Sequence, residues 1–165
     1  MSNAPCFCGK DHEITIQEAF PIMRRTPDSL RLLLDAVDPA AFSRKKGEQW
    51  SPREVLIHLI DTEFAYGFRF RCIMGSKEAS LTSYDQEEWS NTFTYGSLDA
   101  TQLVRAFTPL RRVNLELLQS VDTKLYDRKG KHPEYGSMSV GQMIRHIATH
   151  DLNHLQQIRD RIPAA

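Results

Sequence analysis

"SVGQMIRHIATHDLNHLQQIRDRI", residues 139–162, is the stretch on which the fold turns. Ser139 followed three residues later by Gln142 forms a capping box, in which the hydroxyl takes a backbone donor and the amide returns to the cap. Apolar residues then recur at helical spacing through Ile144, Ile147, Leu155 and Ile158, and Pro163 stops the pattern. One charged residue, Asp151, intrudes into that apolar side. His146, His150 and His154 follow one another at intervals of four. At about 100° per residue, His150 and His154 lie about 40° apart and about 6 Å apart along the axis, so both imidazoles can reach one metal ion. His146 drifts about 40° further and is a poorer third ligand.

The third ligand must come from another helix. "SPREVLIHLIDTE" (51–63) supplies a second capping box, Ser51 with Glu54, and places Pro52 in the first turn. The pattern predicts a helix from Ser51 to about Met74, ended by "GS". His58 shares a wheel sector with Val55, Leu59 and Thr62, which faces the interior. Of the other histidines, His12 falls in the tail and His132 in a loop. His58 with His150 and His154 therefore predicts a metal site. The alternative is a hydrogen-bonded core histidine and a solvated helix edge.

Two more helices complete the pattern. The first runs from about Ile16 to Val37, with a break or kink expected before Pro27 because Thr26 reads as a fresh cap. The third runs from about Ser97 to Ser120, with a bend expected at Pro109. Strand signals are scarce. The expectation is an all-α fold, a four-helix bundle over residues 16–162, preceded by a tail over 1–15. Two long connecting loops, roughly 75–96 and 121–138, separate the helices. The first carries Tyr84, Trp89, Phe93 and Tyr95 and is expected to fold over one end of the bundle, with a short helical turn in "YDQEEWSN" (84–91).

A chain of 165 residues, 41% hydrophobic and 25% charged, fits one globular domain. Its 21 basic and 21 acidic residues cancel, which gives no footprint for nucleic acid or for a membrane surface. "MSNAPCFCGKDHE" (1–13) lacks the apolar core of a secretory signal, so a cytoplasmic location is expected. Cys6, Cys8 and Cys72 make no disulfide framework. Cys6, Cys8 and His12 fall short of the four ligands of a closed zinc site and read as a surface tail with reduced thiols. Asp151 has two readings. It either accepts from the imidazole of His154 or tethers helices together, through a backbone donor or the Trp50 indole.

"QWSPREVLIHLIDTE" (49–63), "YDQEEW" (84–89) and "RKGKHPEYGSMSVGQMIRHIATHDLNHLQQIRDRI" (128–162) together resemble the DinB-like superfamily, over about residues 20–162. The resemblance implies a four-helix bundle with a metal held by one histidine of the second helix and two of the fourth. Those positions match His58, His150 and His154 and leave His146 outside. It also implies kinship with bacillithiol S-transferases and mycothiol-dependent maleylpyruvate isomerases. The expected function is thus a metal-dependent enzyme of thiol S-transferase type. A metal-dependent hydrolase and a non-catalytic metal-binding bundle are the alternatives.

Three imidazoles leave coordination positions open, as in catalytic sites. The ion is expected to be a divalent transition metal, zinc or nickel ahead of iron or manganese. A dinuclear carboxylate site would need paired Glu-x-x-His motifs, which the helices lack. Pocket candidates are Trp89, Tyr84, His132 and Arg69, beside His146 and Asp151. Expected partners are a small-molecule substrate, with a low-molecular-weight thiol in view, and a second copy in a homodimer.

Overall fold

Capping chemistry written in the sequence sets the helix starts. The computed structural model describes residues 14–93, 95–96 and 98–162. Its four long helices are α1 (Ile16–Asp35), α2 (Pro52–Gly75), α4 (Ala100–Ser120) and α5 (Val140–Arg159), with a short α3 (Gln86–Thr92) between α2 and α4. Each long helix opens with a reciprocal capping box: Thr15 with Glu18, Ser51 with Glu54, Asp99 with Gln102, and Ser139 with Gln142. The Asp99 box starts the third long helix at Ala100, later than the expected Ser97. Cys6, Cys8, His12, Ser97 and Pro163 lie outside the described residues.

The expected break before Pro27 does not occur. α1 runs unbroken through Pro21 and Pro27, and Thr26 is a buried residue inside it. Pro27 has no N–H to give the carbonyl four residues back. That carbonyl, on Met23, instead accepts from Arg111 Nη1 at 3.0 Å. A bond from another helix replaces the missing rung.

α1 packs against α4 and α5, and α2 packs against the same two, so α1 and α2 occupy opposite corners of the bundle. Two apolar clusters fill its halves. One gathers Met23, Phe70, Leu118 and Ile147, and the other gathers Leu30, Leu56, Phe107 and Ile158. α1 and α5 run from the first cluster to the second, whereas α2 and α4 run the other way. Because α2 and α4 point in the same direction, the chain between them must travel back along the whole bundle. It enters at Leu81, in the first cluster, and ends beside Leu98, on the second. The connection therefore runs along the bundle instead of covering one end. α3 forms within it, in the stretch expected to make a helical turn.

The second long connection holds a two-stranded hairpin, β1 (Lys129–His132) paired antiparallel with β2 (Gly136–Ser139). Four-residue strands carry too little alternation to read from sequence. His132 is thus a buried strand residue and not a loop one. No helix among the described residues is long and apolar enough to cross a membrane.

Candidate metal centre

Between the two apolar clusters each long helix contributes polar residues to one layer: Thr26 from α1, His58, Thr62 and Glu63 from α2, Arg111 and Asn114 from α4, and His150, Asp151 and His154 from α5. All are buried. Burying so many polar groups is costly unless each is bonded. The layer meets that requirement in two compartments.

The first compartment is ionic. Arg111, 1% exposed, lies between two carboxylates that are 0% and 2% exposed, Asp151 and Glu63. It pairs with both oxygens of Asp151, Nη2 reaching Oδ1 at 3.0 Å and Nη1 reaching Oδ2, and Nε donates to Glu63 Oε1 at 2.8 Å. Thr26 donates its hydroxyl to Asp151 Oδ2 (2.7 Å), and Asn114 Nδ2 donates to Glu63 Oε2 (2.9 Å). Burial alone would favour a neutral Arg111. The two carboxylates overrule it and hold the guanidinium above its ordinary value. Asp151 is therefore a tether between helices, as one of its two readings has it, with Arg111 as partner in place of a backbone donor or Trp50.

The second compartment is the histidine cluster. His58 sits on α2 two turns after the Ser51 cap, and His150 and His154 sit one turn apart on α5. His58 Nε2 lies 3.0 Å from His150 Nε2, which lies 3.1 Å from His154 Nε2. Trp50 covers the far side of His58 with ring centres 5.3 Å apart, and its carbonyl accepts from Arg161, tying the end of α5 to the start of α2.

Burial is the main force on all three imidazoles, and it favours the neutral ring. His58 is pushed down to about 3, first by burial and then by repulsion from His154 and His146. His150 lies well below the ordinary value for the same reasons, and His154 is lowered less because Gln157 and Asp151 oppose the burial. Neutral imidazole is the form that binds a metal.

The donor set fits a divalent ion. At most one of the two close N···N contacts can be a linear N–H···N bond, because His150 Nε2 takes part in both. The remaining lone pairs face one another and need a cation. Two nitrogens ~2.1 Å from one ion stand about 3.0 Å apart at a right angle and about 3.4 Å apart at the tetrahedral angle. The two observed separations, each to His150, match the narrower spacing. His58, His150 and His154 form one cluster of potential ligand atoms, and His146 is not part of it.

Ligand histidines are usually fixed through their other nitrogen. His154 Nδ1 lies 2.6 Å from the amide of Gln157. If Nε2 is the ligand, Nδ1 keeps its proton and donates to Gln157 Oε1. The reversed amide would give its oxygen to Arg161 and force the proton onto His154 Nε2, which excludes ligation. A ligand role for His154 requires the first arrangement, which turns the amide nitrogen of Gln157 toward Arg161. In that arrangement Gln157 would occupy the place that one reading gave to Asp151.

A cavity of about 410 Å³ opens beside this cluster, with Thr62, Tyr66, His146 and His150 on its inner wall. Arg69, His132 and Tyr84 line it too, as does Tyr135 of the hairpin, which sequence reasoning did not single out. His146 stacks on Tyr66 with ring centres 5.7 Å apart. Trp89 is not among the lining residues. It packs on Tyr84 (4.5 Å) and Phe93 (5.9 Å), which anchors α3.

Comparison with known proteins places this architecture. The chain is 28% identical over 109 residues to a candidate metal-dependent hydrolase of Oceanobacillus iheyensis, an alignment covering 66% of this chain and 63% of that protein. It is 23% identical over 116 residues to one of Bacillus mycoides, covering 68% and 66%. The alignments thus span just under two thirds of these relatives. In structure it is similar to YfiT from Bacillus subtilis, described as a candidate metal-dependent hydrolase with an unusual four-helix bundle topology, with a TM-score of 0.82 at 16% identity over 92% of this chain and 90% of that one. The four-helix bundle protein TT2238 superposes with a TM-score of 0.64 at 20% identity, over 88% and 98%. The family model of the DinB superfamily matches residues 22–158, most of the bundle, and this chain belongs to that superfamily.

Proposed function

We propose that this chain is a divalent-metal enzyme in which His58, His150 and His154 hold the ion and the adjoining cavity admits a small-molecule substrate. The observation that carries the reading is the meeting of three buried imidazoles at the inner wall of a cavity, with His150 Nε2 3.0 Å from His58 Nε2 and 3.1 Å from His154 Nε2. A divalent ion bound there supplies Lewis acidity and lowers the pKa of a small nucleophile, water or thiol. The protein contributes three uncharged ligands, which leave the ion its full charge. It also contributes a wall of Thr62, Tyr66 and His146 that limits access, and Gln157, which fixes the tautomer of His154.

Water as the nucleophile gives a hydrolase, the reading supported by the names of the relatives. A thiol gives an S-transferase, supported by the motif resemblance. No described cysteine lines the cavity, so a thiol would have to arrive as a second substrate. Zinc and nickel suit three imidazoles, and iron or manganese would also be accepted.

Metal analysis of the purified chain tests the site, with about one equivalent expected per chain. Loss of an electrophile with and without added thiol, measured beside a panel of esters and amides, then separates transfer from hydrolysis. Full metal content in a His150→Ala, His154→Ala double variant would overturn the ligand assignment.

A further inference from the structure

The cavity has a second polar end, away from the histidine cluster. Its wall along α2 runs from Thr62, one turn after His58, to Arg69, about 10 Å of helix axis. Arg69 is 5% exposed, and no carboxylate pairs with it among the described residues. Its guanidinium lies over the rings of Tyr66 (5.2 Å) and Tyr84 (5.6 Å), and Nη2 donates to the Thr82 carbonyl at 2.6 Å. A buried cation held in place without a counter-ion awaits one.

His132 sharpens the point. Its Nδ1 faces the backbone N–H groups of Glu134 (3.2 Å) and Tyr135 (3.4 Å), and its Nε2 faces Arg69 Nη2 at 3.2 Å. All of these partners are donors, and a neutral imidazole has only one nitrogen that accepts. The tautomer that keeps both backbone bonds of the hairpin turn accepts at Nδ1 and carries its proton on Nε2. Nε2–H and the Arg69 guanidinium are then two donors side by side on the cavity wall, with no acceptor between them.

We infer that Arg69 and His132 form a carboxylate-binding subsite that anchors an elongated organic acid, whose other end extends about 10 Å along the cavity wall to Thr62, toward the histidine cluster. The inference rests on the proposed metal reading only for where the reacting group sits. Acidic residues of the same cavity set the charge of the ligand. Asp85 is occupied in capping α3, Glu134 is exposed, and Glu87 has a buried Oε1 with no hydrogen-bond partner. Their negative charge disfavours a dianion such as a phosphate monoester. Glu87 in addition offers an acceptor for an ammonium or amide N–H on the ligand. A carboxylate monoanion or a zwitterion fits this cavity best.

Calorimetric titration with hexanoate, 6-aminohexanoate, 1-hexanol and hexyl phosphate tests the subsite, using the full chain both metal-loaded and chelator-treated. The two carboxylates should bind both forms, at least tenfold more tightly than the alcohol or the phosphate, and Arg69→Gln should weaken them at least tenfold. Equal affinity for hexanoate and hexanol, or binding unchanged by Arg69→Gln, would overturn it. If Arg69→Gln fails to fold, nitrogen NMR of the wild-type chain decides instead. Hexanoate should shift the His132 Nε2 resonance, and an unmoved signal at saturating ligand sinks the assignment. Binding of carboxylate by the chelator-treated protein keeps the subsite even where metal analysis defeats the three-histidine reading, so the two can fail separately.

Discussion

Two residues six positions apart on α5, Asp151 and Gln157, divide the work of holding the candidate centre. Asp151 receives Arg111 and Thr26, whereas Gln157 meets His154 Nδ1. Their substitutions should therefore separate stability from affinity. Asp151→Asn leaves Arg111 with one buried carboxylate in place of two and should lower the stability of the metal-free protein by about 3–5 kcal/mol. Metal affinity should change no more than about threefold, since Asp151 touches no ligand. Gln157→Ala should do the reverse, weakening metal binding on the order of ten- to a hundredfold with little loss of stability. Denaturant titration of the metal-free proteins and competition with a chromophoric chelator measure the two effects, and a coincident pattern in both variants would refute the division. His146→Ala should retain the ion, because its ring lies outside the cluster. His58, His150 and His154 were legible from helical spacing and from the resemblance. Arg111 was not, although a sign existed: it interrupts the apolar face of α4 between Phe107 and Leu118 just as Asp151 interrupts that of α5. Two opposite charges, each stranded on an apolar face, are each other's natural partner.

At the scale of elements, local chemistry was readable wherever one residue decides it. Ser51 and Ser139 cap two helices and each has its reciprocal partner three residues on. Where a tertiary contact decides, the sequence misleads. Pro27 should break α1, yet the carbonyl it strands is taken by Arg111 across the bundle. Propensity misleads in the same way at Gly67, in the interior of α2. An exposed helical glycine gains up to about 1 kcal/mol when replaced by alanine. A Cβ at Gly67 would come within 2.6 Å of Asn114 Oδ1 and 3.0 Å of its Cγ. Asn114 can retreat only by giving up Glu63, to whose carbonyl and carboxylate its Nδ2 donates at 3.0 and 2.9 Å. Gly67→Ala should thus destabilise the protein by about 1–3 kcal/mol, as overpacking does. Urea denaturation checks this, and a gain in stability would mean that α2 and α4 are less closely packed than the contact implies.

The whole molecule stakes its stability on a polar layer at mid-height, and that layer sets how it should respond to acid. Above the ordinary histidine value near pH ~6.5, folded and unfolded chains both carry neutral imidazoles. Below it the unfolded chain takes up protons, while the folded one refuses them, His58 until about 3 and His150 and His154 to below their ordinary value. The unfolded state binds more protons, so acid favours unfolding. The stability of the metal-free protein should fall as pH drops from ~6.5, by up to about 1.4 kcal/mol per pH unit for each such histidine. Asp61 works in the opposite sense. Burial raises its carboxyl, so folding favours its protonated form and offsets part of the loss at the acid end. Saturating zinc or nickel should raise stability most at neutral pH and least in acid, because the ion and protons compete for the same lone pairs. Urea denaturation at pH ~7.5 and ~5.0, with and without the ion, measures both slopes. His58→Leu should flatten the metal-free slope and abolish most of the stabilisation by the ion. If the metal-free chain were as stable at the lower pH as at the higher, the three imidazoles would have to take up protons as readily in the folded state as in the unfolded one, and the burial that holds them neutral would be refuted.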